Sequence, residues 1–148
     1  MNATATRPST TTDPSETTRA LGWGFGIGVA QAAIALSFWW VELSTVHALM
    51  IALIAAVYVG FAVGDGRTHV IAVECAVVVV FFTAAAIAVT VTPWILVAIY
   101  VAHGAKDLWQ HRHQFVQGTR WWPPFCFAVD MAVAGVVAAQ ILVGVDFH

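Results

Sequence analysis

The sequence predicts an all-α integral membrane bundle of about five transmembrane helices, and three observations predict it. Of the 148 residues, 60% are hydrophobic and 9% charged. The mean hydropathy is +0.82, more apolar surface than a soluble core of this length can absorb. The apolar residues fall in five runs, each long enough at ~1.5 Å per residue to cross a ~30 Å hydrocarbon layer. Short joints with helix punctuation separate the runs.

Residues 1–19, rich in Thr, Ser and Pro, bury too little apolar surface to offset ordering entropy, so a disordered tail is expected there. A single transmembrane domain over residues 20–148 should follow. The apolar segment that starts near Ala20 runs too far for a signal-peptide core. The helices are placed at about 20–41, 45–64, 69–91, 93–115 and 124–145. Ser44 is a candidate cap of the second, Asp65-Gly66 a turn, Thr92-Pro93 a cap with proline at the first helical position, and Pro123-Pro124 the opening of the fifth. Antiparallel neighbours on such short turns predict an up-and-down bundle. Gly22, Gly24, Gly26 and Gly28 alternate in the first helix, and Ala52, Ala56, Gly60 and Gly64 make a small-residue ridge on the second, both signs of close helix packing.

Charge sets the orientation. All six basic residues, Arg7, Arg19, Arg67, Lys106, Arg112 and Arg120, fall towards one side of this topology, which the positive-inside rule makes cytoplasmic. The protein is therefore expected in the cytoplasmic membrane with its N-terminus inside and His148 outside. Its first partner is the lipid bilayer, and a homo-oligomer is open to it. The net charge of −2 and the lack of a basic stripe exclude nucleic acid. Cys75 and Cys126 lack CxxC spacing and read as small apolar core residues.

Function is expected where ionisable groups lie at membrane depth, since such groups are costly there. Steps of three and four place Tyr100, His103, Asp107 and His111 on one stripe of the fourth helix. Glu74, Asp107 and Asp130 come from three helices and all lie roughly 8–12 Å deep. Three carboxylates in one layer call for protonation or a cation. A mixed His and carboxylate set suits Zn, Fe(II) or Mn(II) better than Ca or Mg. Glu74, His103, Asp107, His111 and Asp130 are thus the candidate metal ligands, with His103, neutral near mid-bilayer, and Asp107 as the acid–base centre. Lys106 can snorkel or pair with a carboxylate. Glu42, Ser44 and His47 form a smaller polar group at the opposite side and read as a helix turn near the interface. Residues 114–123, with Trp121 and Trp122, are expected along the membrane surface, placed to cover the cluster.

The segments Tyr58–Arg67, Val73-Glu74, His103-Gly104…Asp107…His111-Arg112 and Phe125-Cys126…Asp130 together resemble a family of small uncharacterised bacterial multi-pass membrane proteins. The resemblance covers about Tyr58 to Ala134. It implies a helical membrane protein with Glu74, His103, Asp107, His111, Cys126 and Asp130 as its polar signature, and it supplies no activity. A looser similarity to membrane hydrolases rests on Ser44…His47 and the later histidines, but those proteins have more spans, and Ser44 and His47 fall opposite His103 here. Three functional classes follow: a metal site open to the cytoplasm that acts on a lipid-like substrate, a small proton- or ion-coupled transporter, and a packing subunit without chemistry.

Overall fold

The structure, a computed structural model, describes residues 14–147. Five helices are formed: α1 (Pro14–Ala35), α2 (Leu43–Asp65), α3 (Thr68–Val91), α4 (Trp94–His113) and α5 (Trp122–Leu142). No strand occurs among the described residues. Three of the five, α2, α3 and α5, are long and apolar enough to cross a membrane. α4 is interrupted by Lys106, Asp107 and Arg112, and α1 opens on a polar turn. The exterior is apolar even so, with Leu49, Leu53, Val79, Val80 and Phe82 exposed, a surface that water would penalise and acyl chains would not.

The helix ends differ from expectation in local ways. α1 is already helical from Pro14, within the tail expected over 1–19, because proline suits the first helical turn and Glu16 lies in that turn; residues 1–13, Arg7 among them, and His148 lie outside the described residues. α1 also stops at Ala35, and residues 36–41 turn rather than continue the helix. Ser44 does not cap α2. Glu42 holds that position without a side-chain bond, and buried Ser44 gives its backbone N–H to the Phe147 carbonyl at 3.1 Å. Pro93 takes the N-cap position of α4 rather than its first helical position, and Thr92 closes α3 instead of capping α4. Asp65-Gly66 turns as expected, with Gly66 at φ 80° and its N–H bonded to Ala62.

Packing joins α1 chiefly to α5, α5 to α4, and α2 to α3, while α1 barely touches α2. This departs from an arrangement in which each helix rests on its chain neighbour. Two glycines are the reason. An added Cβ at Gly28 would stand 2.7 Å from the Val129 carbonyl and 2.8 Å from the Ala132 methyl, and Gly24 meets Phe125 and Ala128 in the same way. The two helices run parallel with Gly24 and Gly28 against Ala128 and Ala132, a small-xxx-small pair on each side. Gly22 and Gly26 face open space, as do Gly60 and Gly64 of the α2 ridge.

The joint between α4 and α5 is not a loose strap on the surface. Val116 and Thr119 are buried, and Arg67 clamps the joint: it bonds both oxygens of Asp65 at 2.5 and 2.7 Å and gives a third hydrogen bond to the Phe115 carbonyl at 2.6 Å. The Gln117 N–H completes the clamp on Asp65 at 2.8 Å. Hydrogen bonding to Asp65 raises the Arg67 guanidinium above its ordinary pKa.

Candidate metal centre

Two helices supply the centre, each through one turn. His103 and Asp107 lie four residues apart on α4, Cys126 and Asp130 four apart on α5, and this spacing puts each pair on one helix face. The faces pack at Gly104, where a Cβ would stand 2.7 Å from the flexible end of Met131 and at an ordinary 3.5 Å from the Asp130 Cβ. One ligand atom from each of His103, Asp107, Cys126 and Asp130 lies within 4.8 Å of all the others. All four residues are buried, none more than 2% exposed.

Inside this group His103 Nδ1 stands 2.7 Å from Asp130 Oδ2 and 3.5 Å from Asp107 Oδ2. Tyr58 of α2 donates its hydroxyl to Asp107 Oδ1 at 2.6 Å. Phe81 of α3 sets its ring edge-on to the imidazole, centroids 5.0 Å apart. His103 Nε2, Asp107 Oδ2 and Asp130 Oδ1 have no hydrogen-bond partner in the structure. Buried polar atoms are nearly always satisfied, so the free carboxylate oxygens of Asp107 and Asp130 beside His103 Nδ1 leave donor capacity open in this group.

The donors fit a metal ion. Around a tetrahedral Zn²⁺ with ligands at ~2.1 Å, neighbouring ligand atoms stand ~3.4 Å apart. The His103–Asp107 separation of 3.5 Å is of that size, and the His103–Asp130 separation of 2.7 Å is shorter. As ligands, Asp107, Asp130 and the Cys126 thiolate would bring three negative charges to a divalent cation, one more than it cancels, and the remaining acid of the layer is balanced elsewhere.

That acid is Glu74. It is buried but does not join the four; its Oε2 pairs with Lys106 Nζ at 2.9 Å, and the ammonium lies 3.5 Å over the Tyr58 ring. Lys106 thus pairs with a carboxylate rather than snorkelling. His111 also stands apart, half-buried between the start of α1 and Pro123-Pro124. At ~100° per residue, two steps of four drift by ~80°, enough to carry His111 round from the face that holds His103. Cys126, read from sequence as a core residue, is the donor that spacing alone could have found, since it precedes Asp130 by one helical turn as His103 precedes Asp107.

His47, expected near the interface, is fully buried, ringed by Tyr100 and Phe147. Tyr100 donates its hydroxyl to the His47 carbonyl at 3.1 Å, so this residue ties α2 to α4. Glu42 is exposed and takes no part. Neither a family model, nor a curated protein, nor a solved structure matches the chain.

Proposed function

We propose that this is a five-span membrane protein that holds one divalent transition-metal ion at His103, Asp107, Cys126 and Asp130. The observation that carries the reading is the convergence of these four donors, all buried, within 4.8 Å. A thiolate and an imidazole beside two carboxylates favour Zn²⁺ or Fe²⁺ over Mn²⁺, which prefers oxygen. When bound, such an ion supplies Lewis acidity and activates water. Four protein donors make a closed centre, however, of the kind that binds or structures rather than turns over. Action on a lipid-like substrate would need one of the four to move aside. Tyr58 orients Asp107 through its hydroxyl, and the Glu74–Lys106 pair keeps a further negative charge away from the ion.

Four of the six polar positions that carry the resemblance to the bacterial membrane family, His103, Asp107, Cys126 and Asp130, make up this site, and kinship with that family is part of the proposal. The test of the metal reading is uptake by the detergent-purified full chain. Zn²⁺ or Co²⁺ should bind at one ion per chain, and the cobalt form should show a sulfur-to-metal charge-transfer band that Cys126→Ser loses. Substoichiometric uptake of both metals would sink the reading.

A second reading has its own observation. Tyr58, Asp107, His103 and Asp130 form a chain of titratable groups across α2, α4 and α5, with the Glu74–Lys106 pair stacked beside it on the Tyr58 ring, and intramembrane groups of this kind serve proton-coupled transporters. It becomes the better account if no metal is taken up.

The membrane orientation rests on the basic residues. The α2–α3 turn with Arg67 meets the α4–α5 joint with Arg112 and Arg120, and Arg19 stands beside Trp121 at the same end. This end is assigned to the cytoplasm. Reporter fusions after Arg67 and after His148 should give opposite sidedness; the same sidedness would reject the topology.

A further inference from the structure

The four donors are buried, so an ion can reach them only through one end of the bundle or the other. On the side of His103 away from the basic end, Ile51, Leu96, Tyr100, Val133 and Val137 close the interior as part of one broad apolar cluster. On the basic side the closure is thin. Its buried members are Tyr58, Ala62, Val70 and Val116, and Tyr58 already bonds Asp107 through its hydroxyl. Trp122 packs on this layer with its ring 5.4 Å from that of Phe61. Gln110 Oε1 and Trp122 Nε1, both buried, have no hydrogen-bond partner in the structure, and water entering here would satisfy them.

Val116 differs from the other three buried members, since it belongs to the joint after α4 and not to a helix. Side chains hold its segment in place. Arg67 bonds the Phe115 carbonyl at 2.6 Å, Gln110 Nε2 the Val116 carbonyl at 3.0 Å, and the Gln117 N–H bonds Asp65 at 2.8 Å. Gln114 at φ 49° and Gly118 at φ 78° bracket the segment. One ends α4 and the other lies in the joint, positions of the kind that absorb hinge motion without breaking a helix.

We infer that Phe115–Gln117 is a gate over the buried centre, with Val116 as its plug and the Asp65–Arg67 pair as its latch. A divalent cation enters and leaves past it, by way of Gln110 and Trp122. What passes rests on the metal reading above; the gate itself does not.

Cys126 reports the gate without any metal. In a Cys75→Ser background, which removes the exposed thiol, the metal-free full chain in detergent is treated with a small cationic methanethiosulfonate reagent, and Cys126 modification is followed by mass spectrometry. Where reclosing is fast, the rate follows the population of the open form. Arg67→Gln and Asp65→Asn should each raise it about tenfold or more, the scale of a lost hydrogen bond to a charged group. Arg112→Gln removes an exposed arginine of the same end outside the latch and should leave the rate unchanged. Val137→Cys in a chain also carrying Cys126→Ser separates gating from general loosening. Val137 is buried in the far cluster, so its replacement thiol should react as slowly with Arg67→Gln as without it. A second arm loads Co²⁺ and times its uptake and its loss to a chelator. Arg67→Gln should speed both about tenfold at unchanged stoichiometry, because a gate alters the path and not the donors. Unchanged Cys126 labelling in Arg67→Gln, equal acceleration by Arg112→Gln, or acceleration at Val137→Cys overturns the gate. Faster Cys126 labelling with no metal taken up keeps the gate and rejects the metal reading, whereas stoichiometric metal with unchanged exchange rates overturns the gate alone.

Discussion

Asp130→Asn is expected to leave the purified protein without bound metal while its helices stay inserted. The amide keeps the shape of the side chain but loses the charge and much of the donor strength, and removal of a direct ligand should weaken binding by more than the ~10–100-fold typical of residues behind the ligands. His103→Gln should act alike. The two states should also differ in stability. A ligand present at ~100 times its dissociation constant stabilises the folded form by ~2.7 kcal/mol, so a chelator should lower the wild-type Tm and leave that of Asp130→Asn unmoved. Glu74→Gln supplies the contrast: it should keep the metal and lower the Tm, since it strands the Lys106 charge beside Tyr58. Metal content and melting measured together decide the matter. Wild-type metal content in Asp130→Asn, or metal lost from Glu74→Gln at unchanged Tm, would show that the donors are misassigned.

The second large effect concerns the seam between α1 and α5. Gly28→Val should destabilise the bundle by ~1–3 kcal/mol or more, the range for forcing extra atoms into a packed contact. The new Cβ would meet the backbone carbonyl of Val129 at 2.7 Å, and backbone cannot rotate away as a side chain can. The helices must separate, which also loosens the support behind Cys126 and Asp130. Gly26→Val is the control, as its Cβ enters open space and a branched apolar side chain is welcome against lipid. Thermal melts in one detergent should show a clear drop for Gly28→Val and little change for Gly26→Val. Equal melts would mean that α1 does not rest on α5 through these glycines.

How much of this was readable in advance depended on the range of the interaction. Helix number and approximate limits follow from local signals, such as Gly66 at the end of α2 and the prolines opening α5, and so were legible. Of the ends that were misplaced, the one at Ser44 is where a tertiary contact acts, the Phe147 carbonyl taking the N–H of Ser44, while the stop at Ala35 closes on local turn bonds. His103 and Asp107 were legible as a pair because α-helical periodicity fixes their common face, and depth counting brought Asp130 to their level.

Depth, however, says nothing about rotation. Glu74 shares the layer of Asp107 and Asp130, yet it faces Lys106, because α3 presents a different azimuth to α4 than α5 does. Cys126 and His111 exchanged standing for the same reason. By itself the sequence determined an apolar helical chain with ionisable groups concentrated on its fourth and fifth helices, since composition and period are properties of the chain alone. Only the tertiary structure decided which of those groups meet. α5 packs between α1, closest at Gly24 and Gly28, and α4, and this packing turns Cys126 and Asp130 towards His103 and Asp107.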